Sequence, residues 1–164
     1  MNRHESMRGY FAYYLHEAMK KNDKIYLIVG DLGYKVFDQH FKDFPDRCIN
    51  TGAAEMAASG ICVGLALEDK IPIFYSITTF LLYRGFECIR NYINHECIPV
   101  KLIGSGRDKD YHIDGFSHDA TDIKSFLDLL SNIKQYWPEN KEEIPTLIED
   151  IIKNQSPSFI SLKR

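Results

Sequence analysis

One acidic residue, Glu55, stands among small residues at the start of a predicted helix, where it could hold or move a proton. It follows three small residues at positions 52–54 and precedes a run of mainly small and apolar residues at 57–64. One explanation is an acid in the first helical turn, which the helix dipole favours. The other is a buried carboxylate used as an acid or base in catalysis. The spacing alone leaves both explanations open.

Three aromatic residues, Phe80, Tyr83 and Phe86, recur three positions apart on a second predicted helix. On a helix they fall within one broad face and can form a wall that grips a flat ring. An ordinary core stripe is the other explanation of this spacing. In that case the neighbouring Arg84 and Arg90 are solvated or paired charges.

Carboxylate and imidazole side chains crowd into the loop at 105–119, which includes His112, Asp114 and His118. A metal site would normally add a helical His-x-x-x-His pair or paired cysteines, and this loop has neither. We therefore interpret the loop as a hydrogen-bonded surface segment or a substrate contact, and we predict no metal site within this chain. The glycines at 104 and 106 make too short a motif for a phosphate loop.

Helical and strand patterns alternate along the chain and must position these residues. Apolar residues at helical spacing from Met7 to Ala18 lead into a buried strand at 25–30. The alternation predicts an α/β fold, with a doubly wound, mainly parallel sheet and helices on both faces, as a single domain over residues 1–164. Further strands are predicted at 48–51, 71–75, 100–104, 133–136 and 158–162, and further helices at 54–67, 78–92, 121–130 and 139–153.

The carboxyl ends of the strands are the expected binding edge, because ligands of such sheets lie where strands hand over to helices. Four junctions satisfy this rule, and they hold almost all of the unusual side chains. They lie at 30–33, 50–55, 76–79 and 104–119.

Composition excludes several classes of function. With 45% hydrophobic and 26% charged residues and a net charge of -3, the chain has the composition of a soluble globular protein and no basic field for nucleic acid or membrane. It has no signal peptide and no apolar run of about 20 residues, so we expect a cytoplasmic protein. The cysteines form no Cys-x-x-Cys pair and are interpreted as reduced core thiols. They are Cys48, Cys62, Cys88 and Cys97.

Taken in order, these segments resemble the pyrimidine-binding domain of transketolases and 1-deoxyxylulose-phosphate synthases along nearly the whole chain. The resemblance rests on Arg8 and on four segments that occur in register. These are Ile28-Val29-Gly30-Asp31-Leu32, the stretch at 44–55 that ends in Thr51-Gly52-Ala53-Ala54-Glu55, the run at 79–90, and Asp114-Gly115-Phe116-Ser117-His118.

The resemblance implies that the chain binds thiamine diphosphate. Glu55 falls on the catalytic carboxylate that hydrogen-bonds the pyrimidine ring nitrogen and so activates the cofactor. The ring-binding aromatic positions of the family fall on Phe80, Tyr83 and Phe86. The resemblance therefore favours cofactor contact over an ordinary core stripe for these three residues. Asp31 matches a residue near the cofactor and the acceptor channel.

The resemblance also implies a sugar substrate. Arg8 matches a sugar-phosphate ligand, and Asp114 and His118 match groups that hold the donor hydroxyls. The loop at 104–109 lacks the family's histidine, for which His112 could substitute. An arginine that transketolases place after Trp137 is absent, since Pro138 follows directly. These departures leave room for an unphosphorylated or nucleotide-linked sugar.

Half of the cofactor site must come from elsewhere, because the sequence has no Gly-Asp-Gly motif with its following asparagine. We expect a diphosphate-binding partner subunit that holds Mg²⁺ or Ca²⁺, in an α2β2 assembly. The family's third, C-terminal domain is likewise not expected in this chain.

The leading hypothesis is a subunit of a split transketolase-like enzyme that transfers a two-carbon ketol unit between sugars. One alternative is the beta-type component of a 2-oxo acid dehydrogenase or decarboxylase, which would release carbon dioxide. The other is a noncatalytic regulatory module of the same fold.

Overall fold

The computed structural model describes residues 5–164 and contains one six-stranded sheet. Every neighbouring pair of strands is parallel, and the strand order is β2-β1-β3-β4-β6-β5. The predicted α/β fold with a parallel sheet is therefore confirmed. The strands are β1 (Ile25–Val29), β2 (Cys48–Asn50), β3 (Ile71–Ile77), β4 (Lys101–Ser105), β5 (Lys134–Tyr136) and β6 (Ser158–Leu162).

Helices cover both faces of the sheet, as predicted. In β1, Leu27 and Val29 pack into one apolar cluster and Ile28 into the other, because successive side chains point to opposite faces. Helices α1 (Met7–Lys21) and α6 (Ile144–Lys153) contribute to the first cluster, while α3 (Glu55–Leu67) and α5 (Ile123–Leu127) contribute to the second. Burial on both faces explains the nearly continuous apolar character of the central strands.

The first helix begins where the sequence pattern places it. Ser6 caps α1, and its side-chain oxygen accepts a hydrogen bond of 3.1 Å from the backbone N–H of Gly9. A short helix, α2 (Asp38–Asp43), was not predicted, because its six residues are too few to show a helical period. No helix within residues 5–164 combines the length and the apolar character needed to cross a membrane.

The segment at 80–95 departs from the regular helix that the sequence predicts. It consists of π-helical turns at Phe80–Arg84 and Ile89–His95 on either side of the short α4 (Phe86–Cys88). In a π turn the hydrogen bonds reach back five residues, so side chains three apart no longer share one face. Gly85 lets this segment approach α3 closely, because a Cβ atom there would lie 2.6 Å from the Ser59 hydroxyl oxygen.

The loop after β4 is anchored by a buried arginine. The Arg107 guanidinium donates hydrogen bonds to the Ser161 carbonyl at 2.6 Å, the Pro138 carbonyl at 2.9 Å and the Glu139 carboxylate at 2.9 Å. Two 3-10 turns, His112–Asp114 and Phe116–His118, shape the rest of the loop. The loop is thereby held over the carboxyl ends of β4 and β6.

The cysteine prediction is correct for three residues and wrong for one. Cys48, Cys62 and Cys88 are buried free thiols, and burial raises the pKa of Cys48 to about 12. Cys97 is exposed, because it lies beyond the π turn at Ile89–His95 and belongs to neither of the two apolar clusters.

Candidate functional site

The four predicted junctions lie together at the carboxyl edge of the sheet, since all strands run in one direction. Glu55 begins α3 just beyond β2, and it reaches the ends of β1 and β3. A Cβ atom on Gly30 would lie 3.4 Å from a Glu55 carboxylate oxygen and 3.0 Å from the Ser76 hydroxyl. A glycine at this position therefore keeps space open for the carboxylate.

Glu55 is a buried carboxylate with its side chain 1% exposed. The Arg84 Nη1 atom donates to both of its carboxylate oxygens, at 3.2 and 3.1 Å, and the Ser76 hydroxyl lies 3.4 Å from one of them. A solvated acid at a helix start is excluded by this burial. Glu55 lies in the first turn of α3, as the first explanation has it, and it is buried, as the second requires, while its use in catalysis stays a prediction.

Backbone contacts fix the segment that carries Glu55. The Asn50 side-chain oxygen accepts hydrogen bonds from the backbone N–H groups of Asp31, at 3.1 Å, and Gly52, at 3.0 Å. The Ser59 hydroxyl donates to the Glu55 carbonyl at 2.9 Å inside α3. These bonds join the end of β1 to the loop before α3, so the position of the carboxylate is set by the sheet.

An aromatic ring and an imidazole extend the site from Glu55. The Arg84 guanidinium carbon lies 3.7 Å from the centroid of the Phe80 ring, which is cation–π contact. On Phe80, the His118 ring packs edge-on with centroids 4.8 Å apart. Glu55, Arg84, Phe80 and His118 therefore form a continuous line of contacts.

The loop after β4 contacts the His118 end of this line, which is the end away from Glu55. The Thr79 hydroxyl donates to the Ser117 carbonyl at 2.7 Å, which holds the loop against β3. The Tyr111 ring lies 6.4 Å from the His118 ring, and its phenol oxygen accepts a hydrogen bond of 2.8 Å from Arg8. The structure thus connects the predicted catalytic acid to the predicted sugar-phosphate ligand.

The predicted aromatic wall is divided. Phe80 contacts Arg84 and His118, whereas Tyr83 and Phe86 pack on Phe126 with centroid distances of 5.0 and 5.2 Å. The π turn at Phe80–Arg84 turns Phe80 away from the other two rings, as its wider spacing requires. A role of Tyr83 and Phe86 in cofactor binding stays a prediction, and Phe80 is the ring that contacts Arg84, the partner of Glu55.

Three other predicted residues lie outside the line of contacts. Asp31 is exposed in a left-handed conformation with φ of 52°, and it accepts a hydrogen bond of 2.7 Å from the Tyr34 hydroxyl, which raises the pKa of Tyr34. His112 and Asp114 are exposed on the outer part of the loop, where His112 bonds the Lys109 carbonyl. Their predicted roles toward the cofactor and substrate stay predictions.

Sequence reasoning missed Arg84, Ser76 and Tyr111 as members of the site. Arg84 lies 29 residues from Glu55, and Tyr111 lies 103 residues from Arg8, so no local spacing reveals these pairs. The only available signal was that Ser76 and Tyr111 belong to two of the four strand ends. Among residues 5–164, no group of three or more His, Cys, Asp or Glu side chains is arranged to hold a metal ion.

The arrangement suits a flat ring that carries hydrogen-bond donors. The planar Arg84 cation lies on the face of Phe80 and donates to Glu55, so one flat group can contact the ring and the carboxylate at the same time. The aminopyrimidine of thiamine diphosphate is such a ring when protonated. The residues present therefore fit the cofactor half that the resemblance implies.

Comparison with known proteins identifies the family. The family model described as "Transketolase, pyrimidine binding domain" matches residues 4–164. A putative transketolase C-terminal section from Methanocaldococcus jannaschii is 26% identical over 162 residues, which are 98% of this chain and 51% of that relative. One of the subunits of an apulose-4-phosphate transketolase from Actinobacillus succinogenes is 29% identical over 121 residues, which are 74% of this chain and 39% of the relative.

Solved structures agree with these relatives. A split-gene transketolase, described as an inactive β4 tetramer, superposes with a TM-score of 0.85 at 27% identity, covering 97% of this chain and 51% of that one. Transketolase from Campylobacter jejuni superposes with a TM-score of 0.85 at 18% identity and supports the fold alone. The chain spans about half or less of the length of these relatives. Because the family model matches nearly the whole chain, the chain belongs to the family of transketolase pyrimidine-binding domains.

Proposed function

We propose that this chain supplies the pyrimidine-binding half of a split, thiamine-diphosphate-dependent transketolase-like enzyme. The reaction is transfer of a two-carbon ketol unit between sugars. The observation that carries the proposal is the buried Glu55 carboxylate, which Arg84 joins to the Phe80 ring at the carboxyl edge of the sheet. Relatives named as a transketolase C-terminal section and as one subunit of a divided transketolase support it.

Glu55 would hold a proton at the pyrimidine ring nitrogen. When bound, thiamine diphosphate supplies a nucleophilic carbon for attack on a ketose carbonyl. A carboxylate suits this task in a dry site, because it can accept a full proton where an amide could offer only a neutral hydrogen bond. Phe80 would support the flat ring, and the Ser76 hydroxyl would keep the carboxylate oriented.

Arg8 and the loop would bind the sugar. The Arg8 guanidinium, the Tyr111 hydroxyl and the Ser105 hydroxyl form a polar group joined by bonds of 2.8 and 3.0 Å. A guanidinium matches the geometry of a phosphate group with two parallel hydrogen bonds. His118, beside Phe80, and the exposed Asp114 would bind hydroxyl groups of the donor sugar.

A second subunit would complete the enzyme. We propose that a diphosphate-binding partner holds the Mg²⁺ or Ca²⁺ ion and that the two chains form an α2β2 assembly. The separate sections and subunits among the relatives support a divided enzyme. A cytoplasmic location stays a prediction from the sequence.

The test is reconstitution with a partner and measurement of cofactor and turnover. Affinity purification of this chain from its native cell should recover a protein with the Gly-Asp-Gly motif, and the complex should bind thiamine diphosphate. Glu55→Gln should then reduce ketol transfer by about 10²- to 10⁴-fold, the usual contribution of a positioned acid or base. Glu68→Gln makes the same change at an exposed carboxylate at the other end of α3 and is the matched control.

Three outcomes would contradict the proposal. Equal turnover by Glu55→Gln would remove the proton path through this residue. Carbon dioxide release from a 2-oxo acid without ketol transfer would favour the dehydrogenase or decarboxylase component. Absence of both partner and cofactor would favour a noncatalytic module.

A further inference from the structure

Arg84 combines two contacts that define its position closely. Its Nη1 atom donates to both oxygens of the buried Glu55 carboxylate, and its guanidinium carbon lies 3.7 Å from the centroid of the Phe80 ring. The guanidinium is therefore a flat cation that bonds the acid while it lies on the aromatic face. Arg84 ends the π turn that begins at Phe80, so one turn of chain carries both the ring and the cation.

These two contacts are also those that a protonated aminopyrimidine would need. Such a ring is planar and cationic, donates N–H groups to a carboxylate, and gains from contact with an aromatic face. The Arg84 guanidinium presents the same chemistry to the same carboxylate oxygens and the same ring. The two groups cannot use these atoms together, because both need the space between Glu55 and Phe80.

We propose that Arg84 is an internal competitor of the cofactor, a built-in guanidinium that takes the place of the aminopyrimidine until the cofactor displaces it. This inference rests on the proposed function. Arg84 is in this sense a residue that positions and protects Glu55, and it sets the apparent affinity for thiamine diphosphate.

The exposure of the two partners makes such an exchange feasible. The Arg84 side chain is 46% exposed, so it can turn into solvent, whereas the Glu55 side chain is 1% exposed and cannot follow. A buried carboxylate without a partner is costly, and an arriving cationic ring replaces the bond that Arg84 gives up. Glu55 thus changes partner without ever being left unpaired.

The experiment measures cofactor binding directly, without turnover. Thiamine diphosphate is titrated into the complex of this chain with its partner, and the dissociation constant is obtained by calorimetry for the wild type and for Arg84→Met. If the internal pair is populated at about 90%, its removal should tighten binding by about tenfold, since the competent fraction scales the apparent affinity. Arg90→Met is the matched control, because Arg90 is an exposed arginine of the same segment that bonds only Asn91 among the described residues.

Equal or weaker binding of thiamine diphosphate by Arg84→Met would overturn the inference. It would show that Arg84 either assists cofactor binding or has no effect on it. If Arg84→Met does not fold, Arg84→Lys keeps the charge without the flat contact on Phe80. Binding by Arg84→Lys should then be tighter than in the wild type, and equal or weaker binding would again overturn the inference.

A fragment separates this inference from the proposed function. The free pyrimidine 4-amino-5-hydroxymethyl-2-methylpyrimidine is titrated into the full chain alone and followed by NMR. Stronger binding by Arg84→Met than by the wild type supports the competitor even if the complex shows no ketol transfer. A wild-type complex that binds no thiamine diphosphate refutes the proposed function, and no gain of fragment binding in Arg84→Met refutes the competitor.

Discussion

The Arg8 guanidinium donates a hydrogen bond of 2.8 Å to the phenol oxygen of Tyr111, 103 residues further along the chain. The same phenol oxygen lies 3.0 Å from the Ser105 hydroxyl at the end of β4. Helix α1 is thereby joined to the loop that carries His118. Arg8 is half-buried, and this bond holds its guanidinium at the end of the site away from Glu55.

Replacement of Arg8 tests its predicted role as a sugar-phosphate ligand. Arg8→Ala should raise the KM for phosphorylated substrates by about tenfold or more, because a hydrogen bond to a charged group contributes about 1.5–3 kcal/mol. The measurement is steady-state kinetics of the complex with a phosphorylated and an unphosphorylated sugar. Tyr111→Phe removes the bond that orients Arg8 and should have a smaller effect in the same direction. An unchanged KM in Arg8→Ala would remove the assignment.

A buried histidine makes stability depend on pH. The His40 ring is 0% exposed and packs against the rings of His16 and Phe37, each with centroids 5.1 Å away. Burial and the neighbouring His16 lower the pKa of His40 to about 3, while the Asp43 carboxylate opposes this shift. His40 therefore stays neutral in the folded protein near pH 6.5, where the same histidine of the unfolded chain takes up a proton.

The sign of the effect follows from this lowered pKa. The contribution of neutral His40 to the free energy of unfolding is fully present above pH 6.5. It is lost as the pH falls from about 6.5 towards 3, by about 1.4 kcal/mol per pH unit. Urea unfolding at pH 7, 6 and 5 measures the slope. His40→Leu should reduce the slope of the free energy of unfolding against pH by the amount that corresponds to about one proton. Parallel slopes for the two proteins would contradict the prediction.

Close packing at Gly85 predicts a loss of stability on adding a methyl group. A Cβ atom would lie 2.6 Å from the Ser59 hydroxyl oxygen and 3.0 Å from the Leu81 carbonyl oxygen. Gly85→Ala should lower the free energy of unfolding by about 1–3 kcal/mol, the usual cost of overpacking. Combination with Ser59→Ala should recover part of this loss in denaturant unfolding.

Gly60 provides the matched control, because a Cβ atom there meets no heavy atom within 4 Å outside its own helix. Gly60→Ala in helix α3 should stabilise the chain by about 0.5–1 kcal/mol through its helical propensity. Equal effects of the two substitutions would show that contact with Ser59 does not limit Gly85.

The buried Arg107 should be important for holding the loop after β4. Arg107→Met removes bonds to the carbonyls of Pro138 and Ser161 and leaves both without a donor, so the free energy of unfolding should fall by about 2–3 kcal/mol. Lys163→Met removes the exposed partner of Glu139 and should change it by less than about 0.5 kcal/mol. Urea unfolding compares the two variants, and a small loss in Arg107→Met would show that the loop is held by other contacts.

The sequence could predict the fold because periodic patterns identify the main elements. The helix at 55–67 and the strands at 71–77 and 158–162 appear close to the predicted bounds, since burial on both faces gives long apolar runs. The π turns could not be predicted in this way. Their effect on side-chain direction depends on hydrogen bonds that no spacing of residues reports.

The residues of the site, like the elements of the fold, could be predicted only where local features of the sequence mark them. Glu55 and Phe80 could be selected from local features, the small residues before one and the aromatic spacing around the other. The sequence allows either a solvated or a paired charge at Arg84, and pairing with Glu55 is what the structure shows. Its partner could not be chosen from the sequence, because the crossover connection brings together residues 29 positions apart.

The strand order imposes a sequence of events on the newly made chain. Strand β5 pairs only with β6 among the described strands, and β6 lies between β4 and β5 although it is the last of them to be synthesised. Until residues 158–162 leave the ribosome, β4 keeps an open edge and β5 has no neighbour, so the nascent chain carries unpaired strand edges that invite association with other chains. The same residues carry the Ser161 carbonyl that Arg107 needs, so the loop after β4 cannot acquire its final anchoring before this strand is made.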